Sequence, residues 1–219
     1  MRDSNTQDNQ NVFTGSESIL FNNSNNGTGT GGIAGGQGGC NYQDGNWVIG
    51  VEAEGWWSGI RTNTGFTEDF GGGDTFALVQ HTKNKSDFDI AARVGIAFDR
   101  TLIYGKAGWV WGNFNFDTAE IEGGIPFLST SQSGTLNGLL VGIGVEHAFT
   151  FAPNWTVKVE YDYIRYGSKD LNALVCEDLT CSTAFGETFS WTQHADKQII
   201  KVGFNYLFNF GGWGGPVRY

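Results

Sequence analysis

The chain has 219 residues, of which 34 are glycine, only 3 are proline and 15% are aromatic. This composition suits many strands joined by flexible loops, and the length is typical of a single domain. The formal net charge of −10 argues against binding to nucleic acid, which requires a basic surface. No run reaches the roughly 18 apolar residues of a transmembrane helix, but a membrane-crossing strand needs only about 9–11 residues of alternating character, so a membrane location is not excluded.

The first part of the chain, residues 1–30, is almost wholly small or polar, and the sequence predicts a polar loop there. Gly27, Gly29 and Gly32 have the spacing of a dinucleotide-binding motif, but no strand precedes them and no amphipathic helix follows, so no phosphate-binding turn is predicted. The N-terminus also lacks the basic-then-apolar pattern of a secretory signal. Either a signal has been removed or the sequence starts late.

The next segments show the period-two alternation of β-strands. A glycine-rich strand is predicted over residues 31–43, and Asp44-Gly45 then predicts a hairpin turn. The strand that follows, residues 47–57, places Glu52 and Glu54 on its polar face.

Further strands follow a long polar loop predicted over residues 61–85, in which residues 75–80 extend a hairpin. The strand 88–98 has Asp89 and Arg93 on its polar face. A turn at Asp99-Arg100 leads into the strand 101–116, which carries Lys106 on its polar face. A second polar loop is predicted over residues 117–133.

The clearest pattern is a hairpin over residues 139–167, which turns at Ala152-Pro153-Asn154. In its first strand an apolar face alternates with a face made of Leu140, Gly142, Gly144 and Glu146. In its second strand Trp155, Val157, Val159, Tyr161 and Tyr163 alternate with Thr156, Lys158, Glu160 and Asp162. Glycine and charge on one face fit the tight interior of a barrel better than the wet face of a β-sandwich, which is the alternative interpretation.

The third long loop is predicted over residues 168–190 and carries Cys176 and Cys181. These two cysteines are candidates for a disulfide in an oxidising compartment, with two free thiols as the alternative, while Cys40 stands alone. The last strand, residues 200–208, places Lys201 on its polar face.

Charges of both signs are therefore predicted in the barrel interior. The set is Glu52, Glu54, Arg93, Lys106, Glu146, Lys158, Glu160 and Lys201. Because the bore of a small barrel is only wide enough for side chains, we expect ion pairs that plug it. Paired carboxylates also occur in glycosidases, but nearly every strand contributes a charge and no cleft is implied. We expect no catalytic residue and no enzyme activity.

Metal and cofactor sites are not predicted either. His81, His147 and His194 lie far apart in the sequence and lack the spacing of metal ligands. We therefore expect neither a metal nor a cofactor.

Every second predicted connection is tight and the others are long and polar, as in bacterial outer-membrane barrels. Residues 46–54, 93–99, 141–149, 154–161 and 201–208 resemble the small outer-membrane immunogenic proteins, a porin-like, OmpA-like β-barrel family. The resemblance covers the chain from about residue 31 to the end. It implies an all-β, antiparallel up-and-down transmembrane β-barrel of the eight-stranded type, with about seven strands in this chain, in the outer membrane of a Gram-negative bacterium.

The organisation expected from this resemblance is a polar loop at 1–30, left from the first external loop, a barrel domain at 31–210 and a C-terminal tail at 211–219. The absent strand would be the first one. Either the start is truncated, or residues 8–22 supply a substitute strand.

The expected function is a structural and surface-interaction role, with the bore plugged by internal charges. A small-solute porin and a soluble ligand-binding β-barrel are the alternatives. Outer-membrane lipid and external ligands at the long loops are the expected partners, nucleic acid is not one, and the protein is expected to be a monomer.

Overall fold

The computed structural model describes residues 2–6, 10–12, 19–21, 24–69, 75–122, 125–176 and 184–208. The regular elements in these residues are strands: β1 (Arg2–Thr6), β2 (Gln10–Val12), β3 (Ile19–Phe21), β4 (Ser24–Thr28), β5 (Ile33–Asp44), β6 (Trp47–Ser58), β7 (Arg61–Asp69), β8 (Thr75–Phe98), β9 (Thr101–Glu122), β10 (Ile125–Ala148), β11 (Trp155–Tyr166), β12 (Lys169–Cys176) and β13 (Ala184–Tyr206). No segment in this part of the chain is a helix of the length and apolarity needed to cross a membrane.

Eleven of these strands form one sheet. Its long strands follow the order β5, β6, β8, β9, β10, β11, β13, and each pairs antiparallel with its neighbours. The short strands β7 and β12 pair with the extended parts of β8 and β13, and β1 and β4 continue the order beyond β13. This meander of seven long strands confirms the predicted fold class.

Three short connections lie at one end of the sheet, which we call the turn end; the opposite end is the extended end. Gly45 has φ +58° and Asp99 has φ 53°, a left-handed conformation that glycine adopts freely and aspartate tolerates. In the third turn the Trp155 amide donates to the Ala152 carbonyl over 2.9 Å. The predicted tight turns are confirmed.

The long strands have one apolar and one polar face. The apolar face points outward as a continuous belt, which includes Ile49, Val51, Ile90, Val94, Ile103, Leu139, Val141, Ile143, Val145, Val159, Ile200, Val202 and Phe204, all exposed. Aromatic pairs lie at both edges of the belt: Phe88 stacks on Trp111 with ring centroids 5.9 Å apart, and Trp155 meets Tyr206 edge-on at 5.2 Å. The predicted outward orientation of Val159 and inward orientation of Lys158 and Glu160 are confirmed.

The segments predicted as loops contain strands, which corrects the sequence interpretation. Much of 61–85 belongs to β7 and β8, 117–133 to β9 and β10, and 168–190 to β12 and β13, while β1–β4 lie within residues 1–30. Cross-strand hydrogen bonds stabilise these polar extensions: Thr135 donates to Asn113 Oδ1 over 2.9 Å, and Ser131 donates to Asp117 Oδ1 over 2.5 Å. Serine, threonine and asparagine therefore continue the hairpins rather than end them.

The sheet has an open seam between β5 and β13. Six antiparallel pairings separate these strands, so they run in the same direction, and no described residue of β5 pairs with β13. Their contact is a side-chain hydrogen bond from Gln37 to Asn205, beside a cavity of about 530 Å³. β1 pairs with Thr192 to Asp196 on the extended part of β13, and β2 pairs with β3. In the described part of 8–22 no strand fills the seam, and an eighth strand there stays a prediction.

Candidate functional site in the barrel interior

The inward faces of β6, β8, β9, β10, β11 and β13 bring all eight charges named from the sequence into one network. The alternation of each strand places these side chains inside, and antiparallel pairing brings neighbouring strands to the same level. Glu146 and Glu160 are no more than 1% exposed, so the network lies away from solvent.

The two carboxylates of β6 lie at the centre of this network. Glu52 contacts Arg93 Nη1 at 3.1 Å and Lys106 Nζ at 3.3 Å. Glu54 contacts Lys158 Nζ at 2.6 Å and Lys106 Nζ at 3.1 Å, and it also pairs with Lys201. Each of these carboxylates is therefore shared between cations from different strands.

The carboxylates of β11 face the same lysines from the other wall. Glu160 lies 2.8 Å from Lys106 Nζ and 2.9 Å from Lys201 Nζ, and the hydroxyl of Tyr104 donates to its Oε2 over 2.6 Å. Asp162 approaches Lys201 Nζ to 2.5 Å. Asp162 thus belongs to the same network, as the alternation of β11 implies.

Glu146 connects the network to the turn end. It lies 3.4 Å from Arg93 Nη1, and it accepts hydrogen bonds from Thr156 Oγ1 over 2.5 Å and from Asn205 Nδ2 over 2.9 Å. The guanidinium of Arg93 also lies 5.0 Å from the ring centre of Tyr104, a cation–π distance. Ionic, hydrogen-bonding and aromatic contacts together fix each side chain.

At the level of this network acids outnumber bases, while Asp87 and Lys197 form a separate pair nearer the extended end. The carboxylates are Glu52, Glu54, Asp89, Glu146, Glu160 and Asp162, and the cations are Arg93, Lys106, Lys158 and Lys201, six against four. Asp89 is fully buried, and neither of its oxygens has a hydrogen-bond partner among the described residues. Each cation is therefore shared among several carboxylates.

Apolar clusters lie on both sides of the charges. Toward the turn end, Val48, Ala97, Leu102 and Tyr104 pack together. Toward the extended end lies a larger cluster that includes Phe114, Phe116, Leu136, Leu140, Ile164 and Tyr166. The ring of Phe114 meets Tyr166 edge-on at 5.1 Å. The charged layer thus lies between two apolar layers.

A second polar cluster near the extended end was missed from the sequence. Lys197 donates to Asp87 Oδ2 over 2.6 Å and to Asn84 Oδ1 over 2.7 Å, and the Tyr166 hydroxyl also donates to Asp87. Residues 84 and 197 lay in or beside segments predicted as loops. Lys197 lies four residues before Lys201 and Asp87 lies two before Asp89, so both are in phase with those interior positions, and this is the signal that would have placed them inside. Asn84 is out of phase with Asp89, because the bulge at Lys85 shifts the register, so the alternation gave no signal for it.

Three interior carboxylates come close enough to suggest a metal site. One oxygen each of Glu52, Glu54 and Glu160 lies within 4.8 Å of the others. All three, however, contact lysine ammonium groups, which already neutralise these oxygens. The arrangement is an ion-pair network, and the absence of a metal or cofactor stays a prediction.

The remaining singled-out residues lie apart from this network. The side chain of His81 is hydrogen-bonded to Asn63, and that of His147 to Thr101. These two histidines are exposed, and so is His194. Cys40 is an exposed free thiol on β5. Cys181 and the side chain of Cys176 lie outside the described residues, so their disulfide stays a prediction.

Comparisons with known proteins agree with this architecture. Residues 6–208 match the family model of the outer membrane protein beta-barrel domain. The "22 kDa outer membrane protein" of Rhizobium leguminosarum bv. viciae is 28% identical over 172 residues, which cover 78% of this chain and 63% of that protein. No solved structure matches the chain. The family match, which spans most of the chain, shows that the protein belongs to the outer-membrane β-barrel domain family and resides in the bacterial outer membrane.

Proposed function

We propose that the protein is a structural, surface-facing outer-membrane barrel whose bore does not conduct solutes. The observation that carries this proposal is the contact between Lys158 Nζ on β11 and Glu54 Oε1 on β6, at 2.6 Å. These strands lie four places apart in the sheet. A contact across that separation places side chains between the walls, beside the cavity of about 530 Å³ that the same two residues help to line.

The layers beside the ion pairs support the same proposal. A hydrated solute would have to separate the Phe114 and Tyr166 rings, pass the shared carboxylates, and then displace Leu102. Each displaced charge would lose its partners in a region of low dielectric, where an unpaired ion is costly. The bore of a barrel with few strands is only wide enough to be filled by side chains.

The extended end supports a role at the cell surface. Short turns face the periplasm and long connections face outward in bacterial barrels, so the extensions of β8, β9 and β10 project from the cell. Their outward side chains are polar, for example Asn113, Asp117 and Ser131. This wall offers hydrogen-bonding groups to external ligands.

A small-solute porin is the competing function. Liposomes that contain the refolded protein, placed in isosmotic arabinose, separate the two. We expect them to swell no faster than protein-free liposomes, and swelling that increases with the amount of inserted protein would contradict an occluded bore. The soluble alternative disagrees with membership of an outer-membrane family.

A further inference from the structure

Three basic residues lie together on the outward face at the extended end. Arg61 on β7 is directly opposite Lys83 on β8. Lys85 occupies the bulge that interrupts the β8–β9 register between Asn84 and Ser86. Thr62, Thr82 and Asn84 are buried toward the interior, so their strand neighbours Arg61 and Lys83 point outward. We call Arg61, Lys83 and Lys85 the basic cluster.

No ion pair to the basic cluster is found within the described part of the chain. Like charges directly opposite each other on paired strands are destabilising, so the Arg61–Lys83 pair has a cost in the protein alone. On β9, the neighbour opposite Lys83 is the uncharged Asn115. Asp117, two residues further along β9 and opposite His81, accepts a hydrogen bond from Ser131 over 2.5 Å.

An outward arginine elsewhere on the barrel shows the contrast. Arg165 on β11 is exposed, and it is directly opposite Asp196 on β13. There the sequence supplies a carboxylate as the cross-strand partner. At the Arg61–Lys83 position it supplies a second cation, in a chain whose net charge is −10.

The basic cluster lies just outside the aromatic edge of the apolar belt. Phe88, three residues beyond Lys85, stacks on Trp111, which marks that edge. At about 3.3 Å per residue, Lys85 is roughly 10 Å along the strand from Phe88. This is the headgroup level of the outer leaflet, because the extended end faces outward. Trp57, 75% exposed and opposite Ser86, adds an apolar surface for acyl chains.

We propose that the basic cluster binds the phosphate of an anionic glycolipid in the outer leaflet. The planar guanidinium of Arg61 suits bidentate contact with phosphate oxygens, and the two lysines add point charges. The bound phosphate removes the repulsion between Arg61 and Lys83. This lipid site is independent of the bore, so its failure leaves the occlusion proposal intact.

The experiment uses the whole protein, refolded in zwitterionic detergent and titrated with bisphosphorylated lipid A, with bound lipid counted by native mass spectrometry. Lys85→Gln, in the bulge and outside the ladder, should weaken binding about fivefold, as expected for one cation near an anionic surface. Lys83→Glu should weaken binding further and raise the thermal midpoint in lipid-free micelles, because Arg61 then faces a carboxylate. Arg165→Gln is the matched control and should change binding less than twofold.

The lipid arms distinguish the possible sources of phosphate. Dephosphorylated lipid A should bind far more weakly than the phosphorylated lipid, and inorganic phosphate at the same concentration should not displace bound lipid. Equal binding of the dephosphorylated lipid would overturn the proposal, as would displacement by free phosphate. An Arg165→Gln effect as large as that of Lys85→Gln would also overturn it, because binding would then follow net charge alone.

Discussion

Lys158 on β11 donates a hydrogen bond to Glu54 on β6 over 2.6 Å, although the two strands lie four places apart in the sheet. Lys158 is 2% exposed and Glu54 is 3% exposed. The pair therefore joins two walls of the barrel through buried side chains.

Removal of a cation should destabilise the barrel more than removal of a carboxylate. Lys158→Met leaves six carboxylates at the level of the central network against three cations, so we expect a loss of about 3–5 kcal/mol in the free energy of unfolding, the usual cost of breaking a buried pair. Glu54→Gln reduces the acidic excess and should cost less. Urea unfolding in lipid vesicles, followed by tryptophan fluorescence, measures both. Asp117→Asn, at an exposed position, is the control, and its stability should lie within about 0.5 kcal/mol of the parent. A greater loss of stability in Glu54→Gln than in Lys158→Met would contradict the prediction.

The apolar belt should show the depth dependence of a membrane surface. Val159 lies in the middle of β11 and is 52% exposed, so Val159→Arg should cost about 2–4 kcal/mol in vesicles. Phe151 lies in the turn that follows β10, near the interface, and Phe151→Arg should cost no more than about 1 kcal/mol. The same unfolding measurement compares them. Equal costs would mean that the outward face of β11 does not meet hydrocarbon.

Gly144 provides the space that the Tyr104 ring occupies. A Cβ atom at residue 144 would lie 2.5 Å from the Tyr104 hydroxyl and from its Cζ. Gly144→Ala should therefore displace the ring, break its hydrogen bond to Glu160, and cost about 1–3 kcal/mol. Gly105→Ala on β9 is the control, because its nearest neighbour, the Gly142 carbonyl, is at 3.8 Å. If both variants unfold at the same urea concentration as the parent, the close approach at Gly144 is wrong.

The seam between β5 and β13 should be too wide for direct strand pairing. Gln37 and Asn205 meet through the ends of their side chains, so cysteines at these two positions should not form a disulfide, which needs Cβ atoms about 3.5–4.5 Å apart. A bismaleimide with a reach of roughly two strand spacings, about 10 Å, should link them. The experiment uses a background in which Cys40, Cys176 and Cys181 are serine.

The control for the seam is a pair on truly adjacent strands. Gly38 and Ala53 are directly opposite on β5 and β6, and Gly38→Cys with Ala53→Cys should oxidise to a disulfide. If the Gln37→Cys, Asn205→Cys pair oxidises as readily, the two edges meet directly as a seven-stranded closure.

The sequence predicts the membrane-level part of the barrel well, because apolar side chains alternate there with polar or charged ones without interruption. Val157 and Val159 are apolar, whereas Lys158 and Glu160 are charged. Of the regular structures, only a strand places the two kinds of side chain on opposite faces. The same alternation placed Asp89 and Asp162 inside. Which cations contact which carboxylates was not predictable, because partners such as Glu54 and Lys158 are 104 residues apart in the sequence.

The extended end was predicted poorly for the opposite reason. Residues such as Ser131, Thr135 and Asn113 are common in turns, and neither face of their strands is apolar enough to show a period of two. Their hydrogen bonds to one another exist only after the strands are paired. For this reason the interior positions of Asn84 and Lys197 were not predicted.

Single-channel recording of the refolded protein in planar lipid bilayers tests the occluded bore most directly. We predict that successful insertion, verified by the resistance of the barrel to added protease, produces no steady open level above the bare bilayer, because in the proposed occluded barrel the Glu54–Lys158 contact and the layers beside it block the bore. Stable conductance steps whose number increases with the amount of inserted protein would contradict it.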